Sequence, residues 1–256
     1  MKLATRNRHR SVVLDIDNDL DLQTVVREVE LLPDDSFDRY ENPFEAKWTL
    51  RDKWNLPHGL ALLMAHLEEP VMHLAETLFD VHLEVDRSRH YAGVFKYDPG
   101  DFLKIHVDAG IHPKNGMRKH VTAVCYLNDA AGGDLLFWDG APCSSNGPDK
   151  PARDRVVYEC SQTIAPNRGV LVLFENNDYA WHSVAPIGPA LGSRYVATVS
   201  YLSNEVDAFA NKRQRAFFVP GPGENWTEET YALRDQRSDP NRYADVYRSS
   251  REKVPV

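Results

Sequence analysis

His106-Val107-Asp108 places an imidazole and a carboxylate two residues apart. On a β-strand successive side chains point to opposite faces, so positions i and i+2 share a face and these two groups can converge on one metal ion. His182, in Trp181-His182-Ser183-Val184, opens another strand-like run and can supply a third ligand if the sheets fold face to face. Two histidines and one carboxylate suit Fe(II) and leave coordination positions open for a substrate and dioxygen. Arg194 follows in Gly192-Ser193-Arg194-Tyr195-Val196, a strand pattern that brings a guanidinium near the metal, where it can clamp a carboxylate by paired hydrogen bonds. In a chain with 10 histidines one His-x-Asp is expected by chance, so the tripeptide takes its weight from its surroundings.

Those surroundings read as strands. From Leu83 onward the apolar pattern has a period of two, and Val94-Phe95-Lys96-Tyr97 ends in the turn signal Asp98-Pro99-Gly100-Asp101. Short strand-like segments follow at Leu103–Val107, Val121–Leu127, Leu135–Trp138, Val156–Tyr158, Gln162–Ile164, Gly169–Phe174, His182–Pro186 and Tyr195–Tyr201. Short strands separated by Gly, Pro and Asn turns predict a mainly β fold with flanking helices, its core a sandwich or jelly roll and not a parallel sheet with crossover helices. Asp139–Asp154, rich in Pro, Gly, Ser and Asn, is expected to be a mobile loop at the mouth of the site.

Ahead of this core, Val12-Val13-Leu14 reads as a short edge strand that leads into a helix capped at Asp19 or Asp21. Pro33–Pro43 is loop-like, and Trp48–Phe79 reads as two helices broken near Pro57 and Pro70. Leu60, Leu63, Met64 and Leu67, then Val71, Leu74, Ala75 and Leu78, are spaced as an amphipathic face that would buttress a sheet. After Leu202 the chain turns polar, and Thr227-Glu228-Glu229-Thr230 caps a short helix. We expect a single domain spanning 1–256, with helical support at 1–82, the core at 83–202 and a C-terminal arm at 203–256.

Composition narrows the function classes. Lys+Arg 30 against Asp+Glu 38 gives a net charge of −8, which disfavours a broad nucleic-acid surface. The basic N-terminus has no apolar stretch behind it, and no run of apolar residues reaches membrane-spanning length, so a cytoplasmic location is expected. Cys125, Cys143 and Cys160 are an odd number without close pairs, which argues against a disulfide framework or a zinc finger.

Taken in order, Tyr97-Asp98-Pro99-Gly100, His106-Val107-Asp108, Val121 to Asn128, Gly132-Gly133-Asp134-Leu135, Pro166-Asn167-Arg168-Gly169, His182 and Arg194-Tyr195 resemble the 2-oxoglutarate- and Fe(II)-dependent dioxygenases, in particular their prolyl-4-hydroxylase-like branch. The resemblance implies a double-stranded β-helix in which His106, Asp108 and His182 hold Fe(II). It implies that Arg194 pairs with the distal carboxylate of 2-oxoglutarate, that Tyr97 and Tyr126 contact this cosubstrate, and that Thr122 and Leu135 line the same pocket. The spacing from His182 to Arg194 is longer than that branch usually has, which leaves Arg168 as the competing base. An intact Asp108 favours hydroxylation of an unactivated C–H, or desaturation, ring formation or epoxidation, over halogenation.

The expected cosubstrates are 2-oxoglutarate and O2, with ascorbate as a stimulant and succinate and CO2 as products. No peptide groove is evident, so a small molecule such as an amino acid or biosynthetic intermediate is the expected substrate. The same chemistry on a protein residue, zinc held by the same ligands for hydrolysis, and a non-catalytic jelly-roll binding module are the rivals. Oligomeric state is not legible in the sequence.

Overall fold

The computed structural model describes residues 3–6, 9–16, 20–143, 156–190, 192–206, 212–239 and 241–242. The order of elements is β1 (Leu3–Arg6), β2 (His9–Asp15), α1 (Leu22–Glu30), β3 (Phe37–Asn42), β4 (Glu45–Leu50), α2 (His58–Glu68), α3 (Pro70–Phe79), β5 (Glu84–Val85), β6 (Gly93–Tyr97), β7 (Phe102–Val107), β8 (Arg118–Tyr126), β9 (Leu135–Gly140), β10 (Val157–Ile164), β11 (Val170–Glu175), β12 (Trp181–Val184), β13 (Arg194–Ser203), β14 (Phe217–Phe218) and α4 (Glu228–Ser238).

Strict alternation gives the central strands two working faces. On β8, Val121, Ala123 and Cys125 face the helices while Thr122, Val124 and Tyr126 face the interior of the curl. β11 divides Leu171 and Leu173 from Val172 and Phe174 in the same way. β13 sends Tyr195, Ala197, Val199 and Tyr201 to the helices and Arg194, Val196, Thr198 and Ser200 inward. Because the period is two, one strand therefore builds a core on one side and a cavity wall on the other.

The strands form one antiparallel sheet in the order β1-β2-β11-β8-β13-β6-β4-β7-β12-β9-β10, with β3, β5 and β14 attached beside it. β4 makes the curl: β3 takes one edge along its whole length, and the other edge pairs β7 at Glu45 and Ala46 and β6 at Trp48 and Thr49. The two halves then meet across an inner apolar layer that includes Tyr126, Leu135, Phe137, Phe174, Val184 and Val196. This is a jelly-roll core, one of the two arrangements the strand pattern allows.

The helices cover the outer face. Asp21 caps α1 by accepting from Thr24 N at 3.1 Å, and Pro70 opens α3 where its missing N–H costs nothing. Pro57 gives α2 no side-chain cap; Glu28 of α1 supplies one instead, accepting from Gly59 N at 3.0 Å and Leu60 N at 2.9 Å. Tyr201 on β13 donates its hydroxyl to Leu67 O at 2.5 Å, which ties the end of α2 to the sheet.

Several local expectations are corrected. β2 is no edge strand, since it pairs with both β1 and β11. The loop expected at 33–43 contains β3, and the helix expected from Trp48 begins only at His58, because Glu45–Leu50 is β4. Both strands are polar enough to hide: β3 reads Phe-Asp-Arg-Tyr-Glu-Asn, and it is the antiparallel partner β4 that recruits it. The segments at Val156–Tyr158 and Gln162–Ile164 are one strand, β10, broken in register by two bulges. Thr227 does cap a helix, α4, by accepting from Thr230 N at 3.3 Å. Most of the loop expected at Asp139–Asp154 lies outside the described residues, apart from 139–143.

Candidate metal centre and cosubstrate pocket

His106 and His182 are direct cross-strand partners on β7 and β12, and Asp108 follows His106 on the same face. Their ring centroids are 4.2 Å apart. Asp108 Oδ1 lies 3.5 Å from His106 Nε2 and 4.0 Å from His182 Nε2. One ligand atom from each of the three residues falls within 4.8 Å of the others, the only such metal-ligating group among the described residues.

The backbone prepares both imidazoles for a metal. His106 Nδ1 sits 2.9 Å from Lys104 O and His182 Nδ1 2.9 Å from Ala180 O. A carbonyl can only accept, so each Nδ1 carries the proton and each Nε2 presents its lone pair to the shared centre. Burial, helped by His106, pushes His182 down to about 3, so its imidazole is neutral and ready to ligate at neutral pH. Burial works to raise Asp108, but Lys119 and the two imidazoles hold its carboxyl well below the usual range. Lys119 Nζ stands 2.6 Å from Asp108 Oδ2. Two imidazoles with Nε2 turned inward and an ionised carboxylate converging in this way fit an Fe(II) ion.

A cavity of about 350 Å³ runs from this centre into the curl. Its wall includes Arg194, the cross-strand partner of Tyr97, with its guanidinium carbon 4.2 Å from the Tyr97 ring centre and 5.4 Å from that of Tyr126. The side chain is 1 % exposed. Its Nη1 donates to Gly133 O, while Nε is buried without a hydrogen-bond partner. A buried guanidinium with an orphaned donor fits a carboxylate arriving through the cavity, since leaving that donor unmade carries a desolvation cost. Burial pushes the Tyr126 phenol up to about 12, so it stays protonated and able to donate.

The remaining expected residues are nearby. Leu135 is buried in the apolar wall and lines the cavity. Thr122 lies on the metal side, its hydroxyl 3.4 Å from Asp108 Oδ2 and accepting from Asn176 Nδ2 at 2.9 Å. Arg168 does not line the cavity; its backbone N donates to Asp129. His112 and His120 pair instead with Asp86 and Glu175, while His90 lines the cavity.

Sequence reasoning missed four contributors. Gly133 reads as a plain turn, yet at φ +75° it delivers its carbonyl to Arg194, and a Cβ there would meet Ile187 Cδ1 at 2.2 Å. Lys119 gave no signal beyond its charge. Phe218 on β14 stacks on His106 at 4.9 Å and 24°, so the C-terminal arm reaches the ligand set. Arg237 of α4 lies over Phe218 at 4.4 Å and binds buried Glu45 at 2.6 Å, which fixes that arm against β4.

The curled antiparallel sheet thus carries three convergent ligand atoms and a buried arginine on the wall of one cavity. Residues 92–201 match the family model for the 2OG-Fe(II) oxygenase superfamily. That stretch is a 2OG-Fe(II) oxygenase superfamily domain, the domain of Fe(II)/2-oxoglutarate-dependent dioxygenases. No curated protein matches its sequence. Among solved structures, a Pseudomonas putida prolyl-4-hydroxylase is 18% identical, covering 76% of this chain and 93% of its own, with a TM-score of 0.53. A Trichoplax adhaerens prolyl hydroxylase in complex with a hypoxia inducible factor peptide fragment is 16% identical over 77% of this chain and 86% of that one, at 0.51. The epimerase SnoN, in complex with Fe3+, alpha ketoglutarate and nogalamycin RO, is 16% identical over 85% and 87%, at 0.53. At such identities the likeness is one of fold. Among the described residues no helix is long and apolar enough to cross a membrane.

Proposed function

We propose that this enzyme hydroxylates an unactivated C–H of a small molecule, with His106, Asp108 and His182 holding Fe(II) and Arg194 anchoring 2-oxoglutarate. The observation that carries the reading is the pairing of three convergent ligand atoms with a buried guanidinium on the wall of one cavity. When bound, Fe(II), 2-oxoglutarate and O2 supply the oxidising chemistry, and 2-oxoglutarate leaves as succinate and CO2.

The chain's own residues select and hold. Lys104 O and Ala180 O fix the two imidazoles in the ligating tautomer. Lys119 occupies Asp108 Oδ2 and directs Oδ1 to the metal. Arg194 takes the distal carboxylate of the cosubstrate, Tyr97 and Tyr126 flank it, and Leu135 closes the wall. Thr122 braces Asp108 from the neighbouring strand. A pocket of about 350 Å³ is at the small end for ligand sites and must also house the cosubstrate, which favours a compact substrate over a protein segment.

Succinate formation by the Fe(II)-loaded protein tests this directly. Asp108→Ala removes the anionic ligand, and we expect both Fe(II) retention and succinate formation to be lost while the fold melts cooperatively. Unchanged turnover in that variant overturns the ligand assignment; absence of 2-oxoglutarate turnover in the wild type with Fe(II) favours a binding module.

A further inference from the structure

Resting on the oxygenase reading above, we propose that His90 reads the substrate: its imidazole hydrogen-bonds a neutral hydroxyl or primary carboxamide of the small molecule whose C–H is presented to the metal.

His90 lines the same cavity as the metal ligands and Arg194. Its ring centre lies 4.7 Å from that of Tyr91, the Tyr91 ring centre 5.0 Å from Lys119 Nζ, and Lys119 Nζ 2.6 Å from Asp108 Oδ2. Two side chains thus separate His90 from the ligand set, which is within the span of a small molecule. β6 sets it apart from the cosubstrate anchor. The Tyr97 end of that strand pairs with Arg194 and the Gly93 end with Thr198, and His90 lies three residues ahead of Gly93. At about 3.3 Å per residue the two ends of β6 stand about 13 Å apart, so a cosubstrate held at Arg194 leaves His90 to another ligand.

The turn that carries His90 is built to hold it. Arg89 adopts φ +48°, a left-handed conformation that is uncommon away from glycine. Such a backbone persists only where its surroundings impose it. Here Asp86 accepts from Ser88 N at 3.0 Å and from Tyr91 N at 3.2 Å. The Lys53 ammonium donates to Arg89 O at 2.8 Å and His90 O at 3.4 Å. Arg89 returns a bond to Lys53 O and grips Glu68 at 2.5 Å and 2.8 Å. The neighbouring His112 is fully employed: its Nδ1 accepts from Lys114 N at 3.2 Å, and its Nε2 faces Ser88 Oγ at 3.2 Å and Asp86 Oδ1 at 3.4 Å. His90 packs edge-on against His112 and Tyr91, at 71° and 77°, yet among the described residues neither of its ring nitrogens has a hydrogen-bond partner.

Burial, then the charge of His112, pushes His90 down to about 4, so the ring is neutral at physiological pH. A neutral imidazole has one N–H to give and one lone pair to receive. A hydroxyl or primary carboxamide answers both, whereas a carboxylate answers only the N–H and an ammonium only the lone pair. Ala92 and Phe95 also line the cavity and supply contact for the hydrocarbon part of such a molecule.

The test uses the full chain loaded with Fe(II), with succinate formation from 2-oxoglutarate as the readout. Small alcohols and primary carboxamides are each offered beside the isosteric hydrocarbon, and the carboxamides also beside their carboxylates. We expect the alcohol or carboxamide to stimulate succinate formation with a KM at least tenfold below that of its counterpart, the responding arm telling hydroxyl from amide. His90→Phe keeps a ring against Tyr91 and His112 and should bring the two KM values to within twofold of each other. His90→Asn, which keeps a donor and an acceptor, should restore part of the preference. A ratio of this kind is unmoved by a general loss of fold or of iron. Counterparts that stimulate equally or better in the wild type, or a preference that survives His90→Phe, overturn the proposal. Absence of 2-oxoglutarate turnover in the wild type strikes at the oxygenase reading instead. Calorimetric titration of the same pairs then decides the contact without turnover: a preference for the polar member that His90→Phe abolishes supports it, while no binding, or a preference unchanged in His90→Phe, refutes it.

Discussion

Asp108 offers two oxygens, and the structure uses them differently. Oδ2 takes the Lys119 ammonium at 2.6 Å, while Oδ1 faces the Nε2 atoms of His106 and His182. A carboxylate tied at one oxygen cannot swing or chelate through both, so Lys119 is a positioning residue for a monodentate ligand. Partners of this kind typically contribute ten- to a hundredfold to metal affinity. We therefore expect Lys119→Met to weaken Fe(II) binding by roughly that factor in a competition titration with a chelating dye, and Lys119→Arg to recover much of it. An unchanged affinity in Lys119→Met with an unchanged Tm overturns the role. Arg194 allows an equivalent test on the cavity wall. A hydrogen bond to a charged group is worth about 1.5–3 kcal/mol, so Arg194→Met should weaken 2-oxoglutarate binding by about ten- to a hundredfold, read as a rise in its KM.

At the scale of elements, the strand alternation made the site legible and the bulges concealed part of it. His106 with Asp108, and Thr122 with Tyr126, obey a period of two and could be placed from sequence. Counting back from Thr122 puts Lys119 on the helix side. The pairing of β8 with β13 slips between Tyr201↔Val121 and Leu202↔Lys119, and that bulge turns Lys119 into the cavity. A similar slip between β7 and β12 brings Leu103 and His106 to the same wall. β3 and β4 were illegible for another reason, since their polar sequences become strands only through their partners. Glu175, at the end of β11, reports how these elements are joined. It lies 3.0 Å from Arg10 of β2, 3.3 Å from Arg118 and 3.4 Å from His120, both of β8. Burial works to raise its carboxyl, but hydrogen bonds and charge from these partners bring it from 4.5 down to about 2. A depressed carboxylate stabilises the fold above its unfolded value, and that stability is lost as pH falls from 4.5 towards about 2. Glu175→Gln should therefore lower the Tm at pH 7 and flatten the loss of Tm across that acid window. Parallel Tm profiles for wild type and variant from pH 7 down to the acid limit count against the network.

The whole molecule divides its apolar interior by task. One cluster joins α1, α2 and α3 to the outer faces of β8, β11 and β13; another fills the curl behind the metal and the arginine. The same three strands separate them, so the helices can stiffen the cavity wall without touching a ligand. Much of this was readable, since the apolar spacing of Leu60, Leu63, Met64 and Leu67 asks for a sheet to cover. The C-terminal arm was not, because Phe218 and Arg237 find their partners, His106 and Glu45, more than a hundred residues away in the sequence. The division can be measured. Leu63 is 0 % exposed in the outer cluster, and Leu63→Ala should cost about 2–5 kcal/mol of stability. At about 2–4 °C per kcal/mol for a chain of this size, that is a clear fall in Tm, and the KM for 2-oxoglutarate should stay within twofold. Leu135→Ala enlarges the cavity instead, and should raise that KM at least fivefold at a comparable or smaller loss of Tm, since the lost methyl groups line the cavity proposed to hold the cosubstrate. If both variants shift KM alike, the two clusters act as one and the wall between them transmits strain.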